Sequence, residues 1–201
     1  MIPPEAQTII DDFVREHRLQ VVETLVVILR GMPGTGKSTF AAFASIYASS
    51  LGFDTRVLSE DDFFVGDHGC IINPQGLREA YEQCFRRFKI ALEDQIDVII
   101  VDNENTFRQH WEPYVNHMNK VCDERSMGYS TIRVVKVQFE HGDLEDAVAM
   151  GERSKHDGLT RFAMAERLHY FDMHTPSFQA HFFVTQQLPP SAALAALNDS
   201  P

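Results

Sequence analysis

The chain has 201 residues, of which 44% are hydrophobic and 23% are charged, and this composition is typical of a soluble globular protein. The length predicts one domain with enough material for a sheet that is covered by helices on both faces. The formal net charge of -11 argues against binding of long nucleic acids through a basic surface, because such a surface neutralises several phosphates.

The sequence carries no signal for secretion or for insertion into a membrane. Its apolar runs are shorter than a membrane span, and the N-terminus lacks a basic region followed by an apolar one. The three cysteines, Cys70, Cys84 and Cys122, are scattered and form no C-x-x-C pair, which disfavours a zinc or disulfide framework. We therefore expect a cytoplasmic protein in a reducing compartment, without a membrane partner.

Hydrophobic periodicity predicts strands that alternate with helices along the chain. The expected strands are 24–29, 55–59, 97–101 and 131–139, and the expected helices are 5–19, 38–50, 75–93, 107–127, 143–153 and 160–171. Pro113 is expected to kink or restart its helix, and the alternation in 131–139 suggests that one face of that strand is less buried. After these elements, only 180–184 has a composition typical of ordered structure. Alternation without repeats predicts an α/β fold with a mostly parallel sheet flanked by helices.

The residues after the first strand satisfy the pattern G-x-x-x-x-G-K-[ST] through Gly31, Gly36, Lys37 and Ser38. Such a loop cradles a polyphosphate with backbone N–H groups, while the lysine reaches the β- and γ-phosphates and the hydroxyl binds Mg²⁺. A Gly-rich turn with a surface lysine is the alternative, but a strand before the loop and a helix after it are the context that the motif requires. We predict that ATP or another NTP, with Mg²⁺, is bound by Gly31, Pro33, Gly34, Thr35, Gly36, Lys37, Ser38 and Thr39.

Acidic residues follow two other predicted strands, and the carboxyl ends of parallel strands form the ligand crevice of such sheets. Asp102 ends the third strand, where a carboxylate holds Mg²⁺ in phosphate-transferring enzymes or, alternatively, caps the following element. Asp61 and Asp62 follow the second strand. Either carboxylate is placed to accept a proton from an attacking alcohol, and from the residues alone a solvated acidic turn is an equal alternative.

Two loops are candidates for parts that surround a substrate. Residues 65–74 have loop composition and are a candidate for a substrate mouth. Arg153, Lys155 and His156 lie between two short predicted helices, as expected of a mobile lid, and a guanidinium suits the charge that develops on a transferred phosphoryl group. By composition alone, a solvated helix end is the favoured interpretation of those three residues.

Two further patterns count against other functions. The sequence 119–122 lacks the aspartate of the guanine-specifying N-K-x-D motif, since Cys122 stands in its place, and this disfavours a GTPase. Phe107, Trp111 and Tyr114 have helical spacing, which predicts core packing rather than a platform for stacking bases.

Five segments in this order resemble P-loop kinases related to the bacteriophage-type polynucleotide 5′-hydroxyl kinase, within the wider zeta-toxin-like group. They are 31–39 (GMPGTGKST), 59–64 (SEDDFF), 100–105 (IVDNEN), 111–114 (WEPY) and 152–156 (ERSKH). The first segment is generic to many kinases, whereas the ordered set is more specific and spans most of the chain. The resemblance implies a P-loop NTPase fold of the kinase type with a small helical lid.

The resemblance also implies a role for several residues. Asp61 matches the general base that deprotonates the acceptor hydroxyl, and Arg153 matches the lid arginine that clamps the donor phosphates. Lys37 and Ser38 match the phosphate and metal contacts, and Asp102 matches the strand-end carboxylate near them.

The chain departs from the family pattern on the acceptor side and in the lid. Glu60 and Phe64 stand where the phage-type enzyme carries arginines that help to hold the nucleic-acid phosphate. His156 and Asp157 stand where a second lid arginine is expected, so Arg161 and Arg167 are the candidates to replace it.

These features predict an ATP- and Mg²⁺-dependent phosphotransferase that moves the γ-phosphoryl group to a hydroxyl, with the 5′-hydroxyl of RNA or DNA as the leading acceptor. A kinase for a nucleoside or another small alcohol, and a catalytically silent nucleotide-binding module that recruits partners, are the alternatives. We expect an N-terminal packing helix in 1–23, a kinase domain in 24–175 with its lid near 143–172, and a partly flexible extension in 176–201.

Overall fold

A parallel sheet forms the centre of the structure. The structure is a computed structural model, and it describes residues 2–19, 22–66, 69–70, 74–125, 132–139, 143–152, 161–173 and 183–188. Its strands are β1 (Thr24–Arg30), β2 (Thr55–Leu58), β3 (Val65–Gly66), β4 (Gly69–Cys70), β5 (Val98–Val101), β6 (Ile132–Phe139) and β7 (Phe183–Leu188). Five of these strands pair in the order β2-β5-β1-β6-β7, and every neighbouring pair is parallel. The predicted α/β fold with a parallel sheet is confirmed.

Six helices accompany the sheet in the described part of the chain, and none of them is long and apolar enough to cross a bilayer. They are α1 (Pro4–Arg18), α2 (Lys37–Ser50), α3 (Leu77–Glu93), α4 (Arg108–Arg125), α5 (Leu144–Glu152) and α6 (Arg161–Met173). Two 3-10 turns, Asp61–Phe64 and Pro74–Gly76, precede α3. Pro113 lies within α4, which continues through it as one helix.

The central strands are buried on both faces, as their continuous apolar sequences predict. All residues of β1 and β5 are buried. On one face, Leu25, Val27 and Leu29 of β1 pack with the apolar sides of α1 and α2. On the other face, Val26 and Ile28 pack with α3 and α4. The sheet is therefore sandwiched between two helical layers, and its strand ends remain as the place for polar side chains.

Strand β6 corrects one expectation, because neither of its faces is solvated. Lys136 and Gln138 were expected on a less buried face, yet both side chains are buried, with Lys136 only 2% exposed. The reason is that this face packs against α4, since Ile132 and Val134 share a buried cluster with Trp111 and the Lys136 Nζ lies 5.8 Å from the centroid of the Trp111 ring. Burial, with a smaller effect of the charge of Arg30, lowers the pKa of Lys136 to about 8.

Two stretches that the sequence predicts mainly as a loop or an extension contain strands. Within 65–74, β3 and β4 form a two-stranded antiparallel pair. Near the C-terminus, β7 runs further than the expected 180–184 and pairs with β6, from Val134 opposite Phe183 to Phe139 opposite Leu188. An added strand supplies hydrogen-bonding partners to an edge that would otherwise present unpaired backbone groups. Of the expected flexible end, 188–201, Leu188 is the last residue of β7, and 189–201 lies outside the described residues.

The register of the sheet brings three strand ends to one edge. Val101 of β5 lies beside both Ile28 of β1 and Leu58 of β2. The backbone continues this alignment beyond the strands, because the Asp102 N–H donates to the Leu58 carbonyl at 2.8 Å and the Gly31 N–H donates to the Glu104 carbonyl at 3.0 Å. The residues that follow β1, β2 and β5 therefore surround a common site.

Candidate active site

The loop between β1 and α2 has the backbone conformation that its glycines permit. Gly34 and Gly36 have φ values of 78° and 94°, a left-handed region in which other residues are strained. Gly36 is the N-cap of α2 and has no side chain to cap the first-turn N–H groups, which suits an anion at this helix end. The Thr35 hydroxyl donates to the Met32 carbonyl at 2.8 Å and so braces the loop from within.

Lys37, the first residue of α2, lies against the same loop. Its buried ammonium group donates to the carbonyls of Gly31 and Met32 at 3.0 and 2.9 Å. Burial lowers the pKa of Lys37, and the negative charges of Glu104, Asp102 and Asp61 oppose this effect, in that order of size. Carboxylates from the ends of β2 and β5 thus lie within electrostatic reach of the loop lysine.

The segment that follows β5 alternates acids with structural asparagines. The buried Asn103 side chain accepts a hydrogen bond from the Glu60 N–H at 2.9 Å. Asn105, which has a φ of 49°, donates from its side chain to the Leu29 carbonyl at 2.7 Å. The two asparagines therefore tie the end of β5 to the segment after β2 and to β1, and the intervening acids Asp102 and Glu104 are the ones that act on Lys37.

Asp61 begins the 3-10 turn that follows β2. Its N–H donates to the Ser59 hydroxyl at 3.2 Å, and its charge acts on Lys37. The next residue, Asp62, is directed differently, because its carboxylate accepts a hydrogen bond from Arg87 of α3 at 2.8 Å. The structure thus gives the two aspartates different partners, and of the two only Asp61 is among the acids that act on the loop lysine.

Glu60 adds a further carboxyl group to this region. Burial, with smaller effects of the charges of Glu104 and Asp61, raises the pKa of Glu60 to about 7. Tyr81 and Cys84 of α3 also lie within reach of its charge, which contributes to the raised pKa of both. At neutral pH the Glu60 carboxyl is therefore partly protonated, and its ionisation adds negative charge beside Asp61.

A pH dependence of stability follows from this shift. In the unfolded chain Glu60 ionises near its ordinary value of 4.5, whereas in the folded chain it keeps its proton up to about 7. Rising pH therefore lowers the free energy of unfolding across this interval. We expect Glu60→Gln to be more stable than the wild type by about 1–3 kcal/mol at pH 8 and to lose that advantage towards pH 4. Urea denaturation of both proteins across this range measures the difference, and parallel stability curves would contradict the assignment.

The predicted lid, near 143–172, includes α5 and α6, and its residues Arg153, Lys155 and His156 lie outside the described residues. Of the two arginines considered as replacements for a second lid arginine, Arg161 pairs with Glu145 in an exposed contact between the two helices. Arg167 instead donates from its Nε to the Glu104 carboxylate at 2.9 Å, with both side chains about three-quarters buried. Helix α6 thus brings one cation to the carboxylates beside Lys37.

Sequence reasoning missed Arg30, the last residue of β1. Its side chain is fully buried, and it donates to the carbonyls of Asn105 and Thr106 at 3.2 and 3.0 Å and to the Gln138 side chain at 2.8 Å. Arg30 therefore holds the segment after β5 against the end of β6, directly behind the phosphate loop. The available signal was a charged residue that ends an otherwise apolar strand.

The tip of the loop meets helix α5. A Cβ atom added at Gly34 would lie 1.9 Å from the Met150 carbonyl oxygen, closer than any real contact. At the next position of that helix, a Cβ added at Gly151 would lie 2.9 Å from the Met164 side chain of α6. The loop and α5 are therefore packed at a distance that only glycine allows, whereas the contact of Gly151 is with the flexible end of the Met164 side chain.

This contact predicts an unequal effect of two glycine substitutions. Gly34→Ala and Gly52→Ala both introduce a side chain at a positive φ, but nothing lies within 4 Å of the position where the Gly52 Cβ would be. Both variants lose about 1–2 kcal/mol of stability because a residue with a Cβ atom adopts a left-handed backbone conformation. We expect Gly34→Ala to lower Tm further and to weaken nucleotide binding, since α5 must move. Thermal unfolding and nucleotide titration measure both effects, and equal behaviour of the two variants would contradict the contact.

The Ser38 hydroxyl and the Asp102 carboxylate suit a magnesium ion that is held between the protein and the phosphates. The Ser38 side chain is exposed in the first turn of α2, and the Asp102 carboxylate lies at the end of β5 within reach of the neighbouring Lys37 charge. Hard oxygen ligands are those that Mg²⁺ prefers, and one or two protein ligands suffice when phosphates supply the others. Within the described ranges, no group of three or more His, Cys, Asp or Glu residues could form an all-protein metal site.

Comparisons with known proteins agree with this architecture. No protein-family model matches the chain. Over 112 residues it is 35% identical to human NEDD4-binding protein 2, and this match covers 54% of the chain but only 6% of that protein. Its structure is similar to a chain of the Pnkp1/Rnl/Hen1 RNA repair complex, with a TM-score of 0.54 and 18% identity over 79% of this chain and 47% of the other.

A second solved structure matches over a larger share of its own chain. It is Chaetomium thermophilum Kti12 in complex with ADP-AlF3, with a TM-score of 0.52 and 15% identity, covering 86% of this chain and 95% of the other. At these identities the structural matches establish a shared fold.

Proposed function

We propose, from the P-loop kinase fold of this chain, that it transfers the γ-phosphoryl group of ATP or another NTP to a hydroxyl acceptor. The observation that carries the proposal is the surroundings of Lys37, where the phosphate loop and the carboxylates of Asp61, Asp102 and Glu104 act on one ammonium group. Positioning and charge neutralisation supply most of the catalysis in phosphoryl transfer, so the protein needs no covalent intermediate of its own.

On the donor side, the loop backbone and the first turn of α2 bind the phosphates, and Lys37 leaves its carbonyl partners to contact the β- and γ-phosphates. The metal is held by the Ser38 hydroxyl and the Asp102 carboxylate. When bound, Mg²⁺ neutralises charge on the phosphate oxygens. Arg167 supplies a further cation through its contact with Glu104, and guanidinium groups at this place stabilise the charge of the transferred group.

On the acceptor side, Asp61 acts as the general base. The alcohol oxygen forms a bond to the γ-phosphorus, the bond between that phosphorus and the β–γ bridging oxygen breaks, and the nucleoside diphosphate leaves. The proton of the alcohol passes to the Asp61 carboxylate. The partner of Asp62 supports this division of roles, because Arg87 pairs with the second aspartate, whereas the charge of Asp61 acts on Lys37.

The leading acceptor in this proposal is the 5′-hydroxyl of RNA or DNA. The segments that resemble polynucleotide 5′-hydroxyl kinases support it, and so does the structural similarity to a chain of an RNA repair complex. A nucleoside or another small alcohol is the second candidate for the acceptor, favoured by the net charge of -11. A nucleotide-binding module without turnover is the third reading.

An acceptor screen tests the proposal. Purified protein is incubated with γ-labelled ATP and Mg²⁺ and with 5′-hydroxyl RNA, 5′-hydroxyl DNA, the same strands with 5′-phosphate ends, nucleosides and simple sugars. We expect label on the 5′-hydroxyl strands and none on the blocked strands. Label on small alcohols alone would identify the second candidate, and nucleotide binding without any label transfer would identify the silent module.

A further inference from the structure

The turn that carries Asp61 also carries two aromatic side chains. Asp61–Phe64 is a 3-10 helix, and in such a helix side chains three positions apart lie on the same side, separated by about 6 Å along the axis. Asp61 and Phe64 have this spacing. The separation is similar to that between the 5′ oxygen and the base of a nucleoside, so one nucleotide can span from the carboxylate to the ring.

The two phenylalanines form a partly exposed apolar surface beside the acid. The rings of Phe63 and Phe64 meet edge to face, with centroids 5.0 Å apart and planes at 87°. A Cβ atom added at Gly76 would lie 3.1 Å from the Phe63 ring and 3.0 Å from the Phe64 ring. The absence of a side chain at Gly76 therefore leaves room for both rings to pack against the start of α3. Val65, which follows Phe64, and Leu77, which follows Gly76, are 63% and 43% exposed.

The charges around this surface disfavour a nucleic-acid site based on phosphate contacts. The chain carries a net charge of -11, and Arg87 of α3 already pairs with Asp62 of the same turn. Phe64 itself stands where the resembling kinases carry an arginine. Stacking of a base on an aromatic ring requires no phosphate neutralisation and tolerates any base, because every base has a π-face.

We propose that Phe63 and Phe64 form a stacking surface for the 5′-terminal base of a single-stranded nucleic acid whose 5′-hydroxyl faces Asp61. The assignment rests on the proposed function for the identity of the reacting group, and it names the part of the acceptor that the site recognises. Phe64 stands at one of the two positions where the resembling family carries phosphate-holding arginines, so the acidic protein selects a base-bearing alcohol by stacking.

A binding experiment tests the stacking directly. A short 5′-hydroxyl DNA strand carries 2-aminopurine as its 5′-terminal base, and its fluorescence is titrated with the full chain. We expect quenching on binding, and a loss of affinity of about 5- to 150-fold in Phe63→Leu and Phe64→Leu. The matched control is Phe162→Leu, since Phe162 of α6 is 80% exposed, and it should bind as the wild type does. Unquenched binding, or no binding of the strand, would overturn the proposal.

A second measurement needs no protein variant, so it does not depend on how the variants fold. The wild type is given a strand whose 5′-terminal residue lacks its base but keeps its 5′-hydroxyl. We expect KM to rise by about 5- to 150-fold with kcat much less affected. Between about 50 and 200 mM salt, affinity for the intact strand should fall by less than about threefold, as for a single phosphate contact. Equal KM values for the two strands, or a fall of about 100-fold with salt, would contradict stacking.

The two experiments separate this inference from the proposed function. Transfer of label to both strands with equal KM would leave the kinase proposal standing and remove the stacking surface. Quenching that depends on Phe63 and Phe64, without any label transfer, would keep the stacking surface and remove the kinase activity. Label on small alcohols alone, without quenching, would remove both the nucleic-acid acceptor and the stacking surface.

Discussion

Asp61→Asn is expected to lower kcat for phosphoryl transfer by about 10²–10⁴-fold, the usual contribution of a general base, while ATP still binds. Asparagine keeps the size of the side chain but cannot accept the proton of the attacking alcohol. The carboxylate lies near Lys37, where its charge raises the pKa of the ammonium group. Transfer is measured with the best acceptor from the screen, and ATP affinity is measured separately by titration.

Asp62→Asn is the matched control for this variant, because it makes the same change at the next residue of the same turn. Its carboxylate pairs with Arg87, and both side chains are nearly half exposed. A pair of this kind contributes about 0–1 kcal/mol, so kcat should change by only a few-fold. If Asp62→Asn removed transfer and Asp61→Asn did not, the roles of the two aspartates would be exchanged.

Arg30→Met is expected to lower the free energy of unfolding by about 2–5 kcal/mol, because it leaves buried acceptors without their donor. Arg30 is fully buried and donates to Asn105, Thr106 and Gln138. Methionine fills a similar volume without donating hydrogen bonds. The same change should raise the Kd for nucleotide, since Arg30 holds the segment that positions Asp102 and Glu104. Urea denaturation and nucleotide titration measure the two effects.

Arg56→Met is the matched control for the removal of an arginine. Arg56 of β2 pairs with Asp94 at 3.2 Å, but both side chains are more than 40% exposed. An exposed pair is worth about 0–1 kcal/mol, so this variant should unfold nearly as the wild type does. Equal destabilisation of the two variants would show that the buried hydrogen bonds of Arg30 contribute little to stability.

Most of the architecture could be predicted because it is encoded locally. The β-branched apolar run 24–29 suits a strand buried on both faces, and the glycine loop and amphipathic stretch after it favour the strand–loop–helix arrangement. Periodicity also identified the other central strands and the helices α1 to α6 to within a few residues. Neighbouring residues determine these patterns, so they can be recognised without knowledge of the partners.

The polar interior could not be predicted in this way. Lys136 and Gln138 alternate with apolar residues as if they faced solvent, and the structure buries them because β7 and α4 cover that part of β6. Whether a charged residue on a strand is exposed depends on elements that are distant in sequence, and alternation along one strand carries no information about them. The ion pair of Glu104 could not be predicted either, because its partner Arg167 is 63 residues away.

The amino-acid sequence by itself determined the α/β class, the phosphate loop with Lys37 and Ser38, and the acids that follow the neighbouring strands, because each of these is a local pattern. Only the tertiary structure decided which acids act on Lys37, that the Asp62 carboxylate pairs with Arg87, and that Arg30 donates hydrogen bonds to the segment after β5. The physical reason is that electrostatic and hydrogen-bonding partners are selected by distance in space, and the sheet order β2-β5-β1-β6-β7 sets those distances.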